Sequence, residues 1–472
     1  MKLTFKFLTF ISLLSGTLLL AVDGVLDPSF NPSGTPPGTV FTDFDGGDDE
    51  AFAVVVQPDQ KIVVGGLAFD SSITEFVFGL ARYNIDGSLD SSFGIGGKVV
   101  TPQFVGATDS EIFGLALQPD GRIVAVGSAT IGGVDNFAVA RYLPNGTLDP
   151  SFAGVGQVVT LPGTGGFALS VIILPTGNII AGGFGGFVGL QEFMLINYLP
   201  TGLLDPVFGL GTGMVHHPII VGENSGIEAL ALQPDNLLVA AGRTETPGVV
   251  SPAFALARYD SITGALDTAN FNSPDGFLFT TFPGPNNAFA SAVKIQPDGK
   301  IIAAGWSDDQ NFLALARYCN NGTLDDGINC GPDEFGSGGF VETSLGAISN
   351  QISGMALQQN GKIVIGGTVN DGASSILVGR YNTDGSVDSA TFNPSGVIPG
   401  FNFTQVNGAS TAGFAVALQA NERIIVVGET LTGIGLTLDF AVVRYNNTLP
   451  CPLLQTPRSD IVQAIMNKYC IC

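Results

Sequence analysis

The sequence predicts an all-β chain, a seven-bladed β-propeller with four antiparallel strands per blade, and three observations lead there. A tight-turn stretch, Leu117-Gln118-Pro119-Asp120-Gly121-Arg122-Ile123, recurs seven times at a period of about 60 residues. Each copy adds the same further signatures in the same order, enough for four short strands. The two ends of the array are offset by one segment, as a closed ring requires.

The turn comes first because the rest is phased on it. Pro119 presets φ, Asp120 bonds the local backbone, and Gly121 takes the positive φ that lets two strands return without splaying. The flanks Leu115 to Gln118 and Arg122 to Val126 are too short for helices and rich in Val, Ile, Leu and Ala, so they read as strands. The other copies begin at Gln57, Leu174, Gln233, Gln296, Gln358 and Gln419.

About twenty residues on, a further strand ends in Arg-Tyr, as at Arg82-Tyr83 and Arg141-Tyr142; the third copy has Asn197-Tyr198. A connector of the form Gly-x-Leu-Asp, then Phe, follows, as in Gly87-Ser88-Leu89-Asp90 with Phe93. A Gly-led apolar segment such as Gly97 to Thr101 completes the unit. Strands such as Phe254 to Ala257 are apolar throughout, which fits burial on both faces between stacked sheets. Gly-Gly pairs at Gly65-Gly66, Gly182-Gly183 and Gly366-Gly367 suit close backbone approach.

An open solenoid is the rival, and the ends discriminate against it. After Arg444-Tyr445 the last copy lacks its connector, whereas Gly24-Val25-Leu26-Asp27-Pro28-Ser29-Phe30 is a connector with no repeat before it. That segment can fill the empty slot between the last and first blades; a solenoid needs polar, atypical caps.

The Gln-Pro-Asp-Gly-Lys, Ala-Arg-Tyr and Gly-Ser-Leu-Asp-x-Ser-Phe pattern resembles the delta-60 repeat family of bacterial, mostly exported β-propeller-like proteins, over roughly residues 24 to 447. The resemblance implies the fold and an extracytoplasmic setting, and it brings no general set of catalytic residues. Copy three (Thr176, Asn197) and copies six and seven (Gln359, Ala420) depart most from the pattern, which questions turn and ion-pair geometry there.

Composition bounds the function. With 41 acidic against 18 basic residues and a formal charge of -23, nucleic-acid binding and docking on anionic lipid are disfavoured. Lys2 and Lys6 ahead of the apolar run Phe7 to Leu20, with Ala21 as a cleavage residue, predict a signal peptide over residues 1–21, so the chain is expected in the secreted fraction or the cell envelope, with no membrane span after cleavage. The propeller is expected over 22–449 and a separate tail over 450–472, where Ser459 to Met466 fits a short amphipathic helix. Of the five cysteines, Cys319 and Cys330 can close a local disulfide loop, while Cys451, Cys470 and Cys472 crowd the tail. The two histidines, His216 and His217, are adjacent on a strand and suit a strand exit better than a zinc site.

The repeated ionic residues read as structure. Arg82 with Asp90, Arg141 with Asp149 and Arg258 with Asp267 are expected to brace the turns between blades, because a ligand site has no need of seven copies. Hairpins and connectors lie at one end of the ring and barely vary. The loops at the opposite end differ in length and composition, which marks them as the binding face.

The strongest cluster in those loops is Asp43, Asp45, Asp48, Asp49 and Glu50, joined by Asp109 and Glu111 from the next copy. These are the candidate ligand-binding residues. Carboxylates spaced by glycines can hold calcium, and Asp43, Asp45 and Asp48 are the candidate ligands, although the spacing misses the twelve-residue calcium loop. No other cofactor is expected. Two carboxylates facing each other across the pore can alternatively serve as acid and base toward a sugar. Nucleophile-elbow and phosphate-loop motifs are absent, and Trp306 is the sole tryptophan. The reading favours a secreted or envelope-bound binding or scaffold propeller, with an extracellular protein or glycan on the variable loops, over its alternative, a carbohydrate-active hydrolase or lyase using acidic pore loops.

Overall fold

The computed structural model describes residues 22–447 apart from 188, 247–248, 284–286 and 433–436. The signal segment, the tail cysteines and the helix expected over Ser459 to Met466 lie outside the described residues. Among the described residues no helix is long and apolar enough to cross a membrane.

Seven four-stranded antiparallel sheets form a closed ring. Blade 1 is built from Glu50–Val56, Ile62–Asp70, Glu75–Tyr83 and Lys98–Val100, in that order from the axis outward. The strand before each hairpin is therefore innermost, and the Gly-led segment is outermost. The second and third strands are buried along most of their length, which accounts for their unbroken apolar runs.

The ring closes as the offset ends require. Thr39–Thr42 pairs antiparallel with Phe440 to Val443 and becomes the outer strand of blade 7, while Leu26 bridges Tyr445. A seventh sheet made from both ends of the array gives blade 7 its outer strand and joins it to the segment that leads into blade 1.

Side chains fasten each blade to the next by one repeated device. Arg141 Nε donates to Asp149 Oδ2 at 2.8 Å, and its Nη1 reaches the Pro200 carbonyl of blade 3 at 2.7 Å. The guanidinium also lies over the Phe152 ring, 4.8 Å from its centroid. Arg82–Asp90 and Arg258–Asp267 form the same pairs, and Arg444 pairs with Asp27 across the closure. Copies six and seven keep the pair despite their altered turns. Only copy three lacks the cation, and there Asn178 and Asn197 both donate to Asp205 Oδ2. The Tyr of each Arg-Tyr hydrogen-bonds a Thr at the end of the preceding blade's outer strand, as in Tyr142 with Thr101 just past Val100; at Tyr259 the partner is His217.

The hairpins match their expected chemistry. Gly121 has φ of 84°, and Asp120 Oδ1 accepts the Arg122 amide at 3.1 Å. Gln60, Asn236 and Glu422 occupy the same left-handed position in other copies, at φ of 70°, 66° and 65°. Cys319 and Cys330 are joined by a disulfide with Cα atoms 5.4 Å apart.

Candidate functional site

Every inner strand carries a β-bulge five residues before the first residue of its hairpin. The second strand answers it with glycine. A Cβ on Gly66 would lie 1.7 Å from the Glu50 carbonyl oxygen, and one on Gly127 would lie 1.8 Å from that of Glu111. The bulges add one residue per blade to the wall of the central channel, whose cavity is about 630 Å³.

Those seven residues divide the channel by polarity. Blades 7, 1 and 2 supply Phe414, Phe52 and Phe113, blade 3 supplies Leu169, and blades 4, 5 and 6 supply Glu228, Ser291 and Ser353. The rings form a continuous arc: Phe414 to Phe52 at 5.1 Å between centroids, Phe52 to Phe113 at 5.3 Å, and Phe113 to Phe167 at 6.1 Å. On blade 5 Phe289 and Trp306 stack 5.4 Å apart with planes 4° from parallel, and Arg243 sits over Phe289 at 5.0 Å. Burial pushes the Glu228 carboxyl up to about 8, against the opposing charge of Arg243. Lys294 is exposed to the same channel, yet the enclosing walls lower its pKa by desolvation.

The acidic cluster stands at the loop end of the ring, where blade 7 meets blades 1 and 2. Glu50 meets Glu429 of blade 7 across the seam, and burial raises the pKa of Glu50. Burial first, then the charges of Glu50 and Asp48, push Glu429 up to about 8. Asp49 is fully buried. Its burial raises it to about 7, although the Phe44 and Phe69 amides donate to it at 2.7 and 2.9 Å. Glu111 is raised by burial and takes a hydrogen bond from Ser128.

The remaining candidates hold loops. Asp45 accepts from the amide and hydroxyl of Ser71, Asp48 from the Leu438 amide at 2.9 Å, and Asp109 from the Phe76 amide at 3.2 Å. Asp43 accepts the Gly46 amide at 2.6 Å. Asp43, Asp45 and Asp48 do not share one site. Asp43 instead meets Asp49 and Asp439, with one carboxylate oxygen of each within 4.8 Å of the others. His216 bonds Glu192 at 2.8 Å while His217 bonds Tyr259, so the two rings serve separate neighbours.

Sequence reasoning passed over Glu429 and Asp439, which only ring closure brings beside residues 43–50, and over the bulge residues. The bulge positions did carry a signal. Five residues before each hairpin the residue ranges over Phe, Leu, Glu and Ser, while its immediate neighbours are Ala, Gly or Ile except at Ser170.

A family model described as "Domain of unknown function (DUF5122) beta-propeller" matches residues 57–93, 118–152, 296–327 and 358–390. These are hairpin-to-connector stretches of blades 1, 2, 5 and 6, in keeping with a β-propeller repeat protein. No curated protein matches the chain. Solved structures similar to it include virginiamycin B lyase from Staphylococcus aureus (12% identity, 86% of this chain and 98% of that one, TM-score 0.45). The polysaccharide lyase Uly1 is also similar (12% identity, 90% and 97%, TM-score 0.46). So is Sqt1 from Chaetomium thermophilum bound to the N-terminus of a ribosomal protein (13% identity, 86% and 98%, TM-score 0.43). At TM-scores below 0.5 these likenesses carry nothing on function.

Proposed function

We propose that the protein is an exported binding propeller of the delta-60 repeat type, which takes a saccharide at the loop-face end of its central channel. The observation that carries this reading is the split bulge ring. Contiguous phenylalanines on blades 7, 1 and 2 face a polar arc of Glu228, Ser291 and Ser353. A pyranose has the same division, an apolar C–H face for aromatic stacking and a rim of hydroxyls for hydrogen bonds. The stacked Phe289–Trp306 pair offers a second platform. The acidic mouth and the charge of -23 favour neutral or amino sugars over anionic ones.

A glycan array followed by calorimetry on the mature protein tests this. A neutral or amino glycan is expected to bind, and Trp306→Ala is expected to weaken it at least ~10-fold with unchanged melting, as loss of one stacking contact does. Absence of any glycan binding by the folded protein, or binding indifferent to Trp306→Ala and Phe52→Ala alike, would overturn the reading. Export is checked by intact mass: loss of residues 1–21 is the expected result.

One observation favours a second reading, a carbohydrate-active hydrolase or lyase. Burial raises Glu228 to about 8 and lowers the pKa of Lys294 on the adjacent blade, shifts in the directions that suit general acid and base roles. Asp48 and Asp49 suit those roles less, since backbone amides hold both. Release of glycan products that stops in Glu228→Gln would establish this reading in place of simple binding.

A further inference from the structure

From the closure between blades 7 and 1 we infer a calcium site built on Asp43, Asp49 and Asp439. One oxygen from each carboxylate lies within 4.8 Å of the other two. Asp43 and Asp49 belong to the loop that leads from the closing strand Thr39–Thr42 into blade 1, and Asp439 stands on Thr437–Tyr445 of blade 7. Calcium takes six to eight oxygen ligands and tolerates irregular geometry, so three carboxylates with carbonyls and water at the exposed Asp43 side suit it better than magnesium.

Clustered carboxylates alone would not carry this. The independent observation is the state of Asp439. It is only 2% exposed; its Oδ2 accepts the Thr432 hydroxyl, while its Oδ1 is buried with no hydrogen-bond partner among the described residues. An unpartnered buried carboxylate oxygen is costly unless a cation or donor meets it. Among the described residues no lysine, arginine or histidine forms an ion pair with Asp43, Asp49 or Asp439. Lys98, the nearby cation, is engaged with the carbonyls of Asp43 and Phe44 at 2.9 and 3.2 Å.

Asp49 is already oriented for a ligand role. The Phe44 and Phe69 amides each take one lone pair, one on each oxygen, and leave a second on both. Asp43 likewise spends Oδ1 on Gly46 and keeps Oδ2. A cation here would tie residues 43–49 to a strand about 390 positions away, beside the hydrogen bonds that Asp48 Oδ1 accepts from Leu438 and that the Asp49 amide gives to the Leu438 carbonyl. Calcium would therefore lock the ring at its seam, independently of any ligand in the channel.

The test uses the full chain, stripped with chelator and titrated with calcium chloride by calorimetry, with magnesium chloride alongside. One calcium per chain is expected, at micromolar to millimolar Kd, with a rise in melting temperature under saturating calcium that magnesium does not match. Asp439→Asn keeps the Thr432 contact and should weaken calcium at least ~10-fold, as should Asp43→Asn, which is exposed and leaves the fold alone. Asp45→Asn, in the same loop but bonded to Ser71, should bind as wild type. Absence of stoichiometric calcium binding, or equal weakening by Asp45→Asn and Asp43→Asn, would overturn the site. Saccharide binding is not involved in either readout.

Discussion

Two substitutions at equivalent turns, Asp149→Asn in blade 2 and Asp205→Asn in blade 3, separate ion pairing from turn chemistry. Both carboxylates are buried, and both cap the following turn through Oδ1, to the Ser151 amide at 3.0 Å and the Val207 amide at 2.9 Å. They differ at Oδ2. Asp149 faces Arg141 at 2.8 Å and Arg122 at 2.9 Å, whereas Asp205 faces only the amides of Asn178 and Asn197. Removing the carboxylate from Asp149 leaves the buried Arg141 cation without a counter-charge, a loss of ~3–5 kcal/mol. At Asp205 no cation is orphaned and Asn still offers an acceptor oxygen, so the loss is the weakening of hydrogen bonds to neutral amides, ~1 kcal/mol.

At ~2 cal/mol/K per residue, a ring of roughly 420 residues loses about 1 °C of melting temperature per kcal/mol, so shifts near ~4 °C and ~1 °C are expected. Thermal unfolding followed by circular dichroism resolves the two. The pH dependence has a definite sign. Burial raises Asp149, but the Ser151 hydrogen bonds and the Arg141 charge outweigh it and hold its pKa below the usual range. Its contribution is therefore full above the unfolded value of about 3.9 and lost as pH falls through the folded one, so the gap between wild type and Asp149→Asn should close in acid. Equal shifts for the two variants at pH 7, or a gap that widens in acid, would refute the argument.

Three more outcomes follow from the same geometry. Gly127→Ala drives a Cβ to within 1.8 Å of the Glu111 carbonyl oxygen and should cost ~3 kcal/mol or more, read as a drop in melting temperature or as insoluble expression; a silent substitution would mean the bulge relaxes freely. Glu228 is raised from 4.5 to about 8, so its stabilising contribution is present below 4.5 and lost as pH rises through 8; Glu228→Gln should match wild type at pH 4 and melt ~1–2 °C higher at pH 9, channel water moderating the effect. Cys319→Ser opens a loop between residues 11 apart and should lower stability by ~2–3 kcal/mol, with reductant reproducing the shift in wild type and leaving the variant unchanged.

Blade count, strand order within the repeat and ring closure were legible because each rests on local chemistry. Pro119-Asp120-Gly121 forms its turn from its own φ preferences and side-chain bonds, and Leu26-Asp27 announces an empty slot by standing ahead of the array. The Arg–Asp braces were legible for the same reason, since Arg141 and Asp149 are eight residues apart around one turn. Doubt about copies six and seven did not carry over, because the altered turn residues face solvent or a neighbouring hairpin while Arg380–Asp388 and Arg444–Asp27 keep their seats.

What tertiary structure alone decided is which side chains converge on the axis and at the seam. A bulge rotates one residue per inner strand toward the channel, and a one-residue change of register is invisible in a short apolar run of Val, Ala and Phe. Glu50 finds Glu429, and Asp49 finds Asp439, only because closure sets the first blade against the last. Local preferences act over a few residues and write the repeat; carboxylates nearly 400 residues apart acquire each other as neighbours only when the ring shuts.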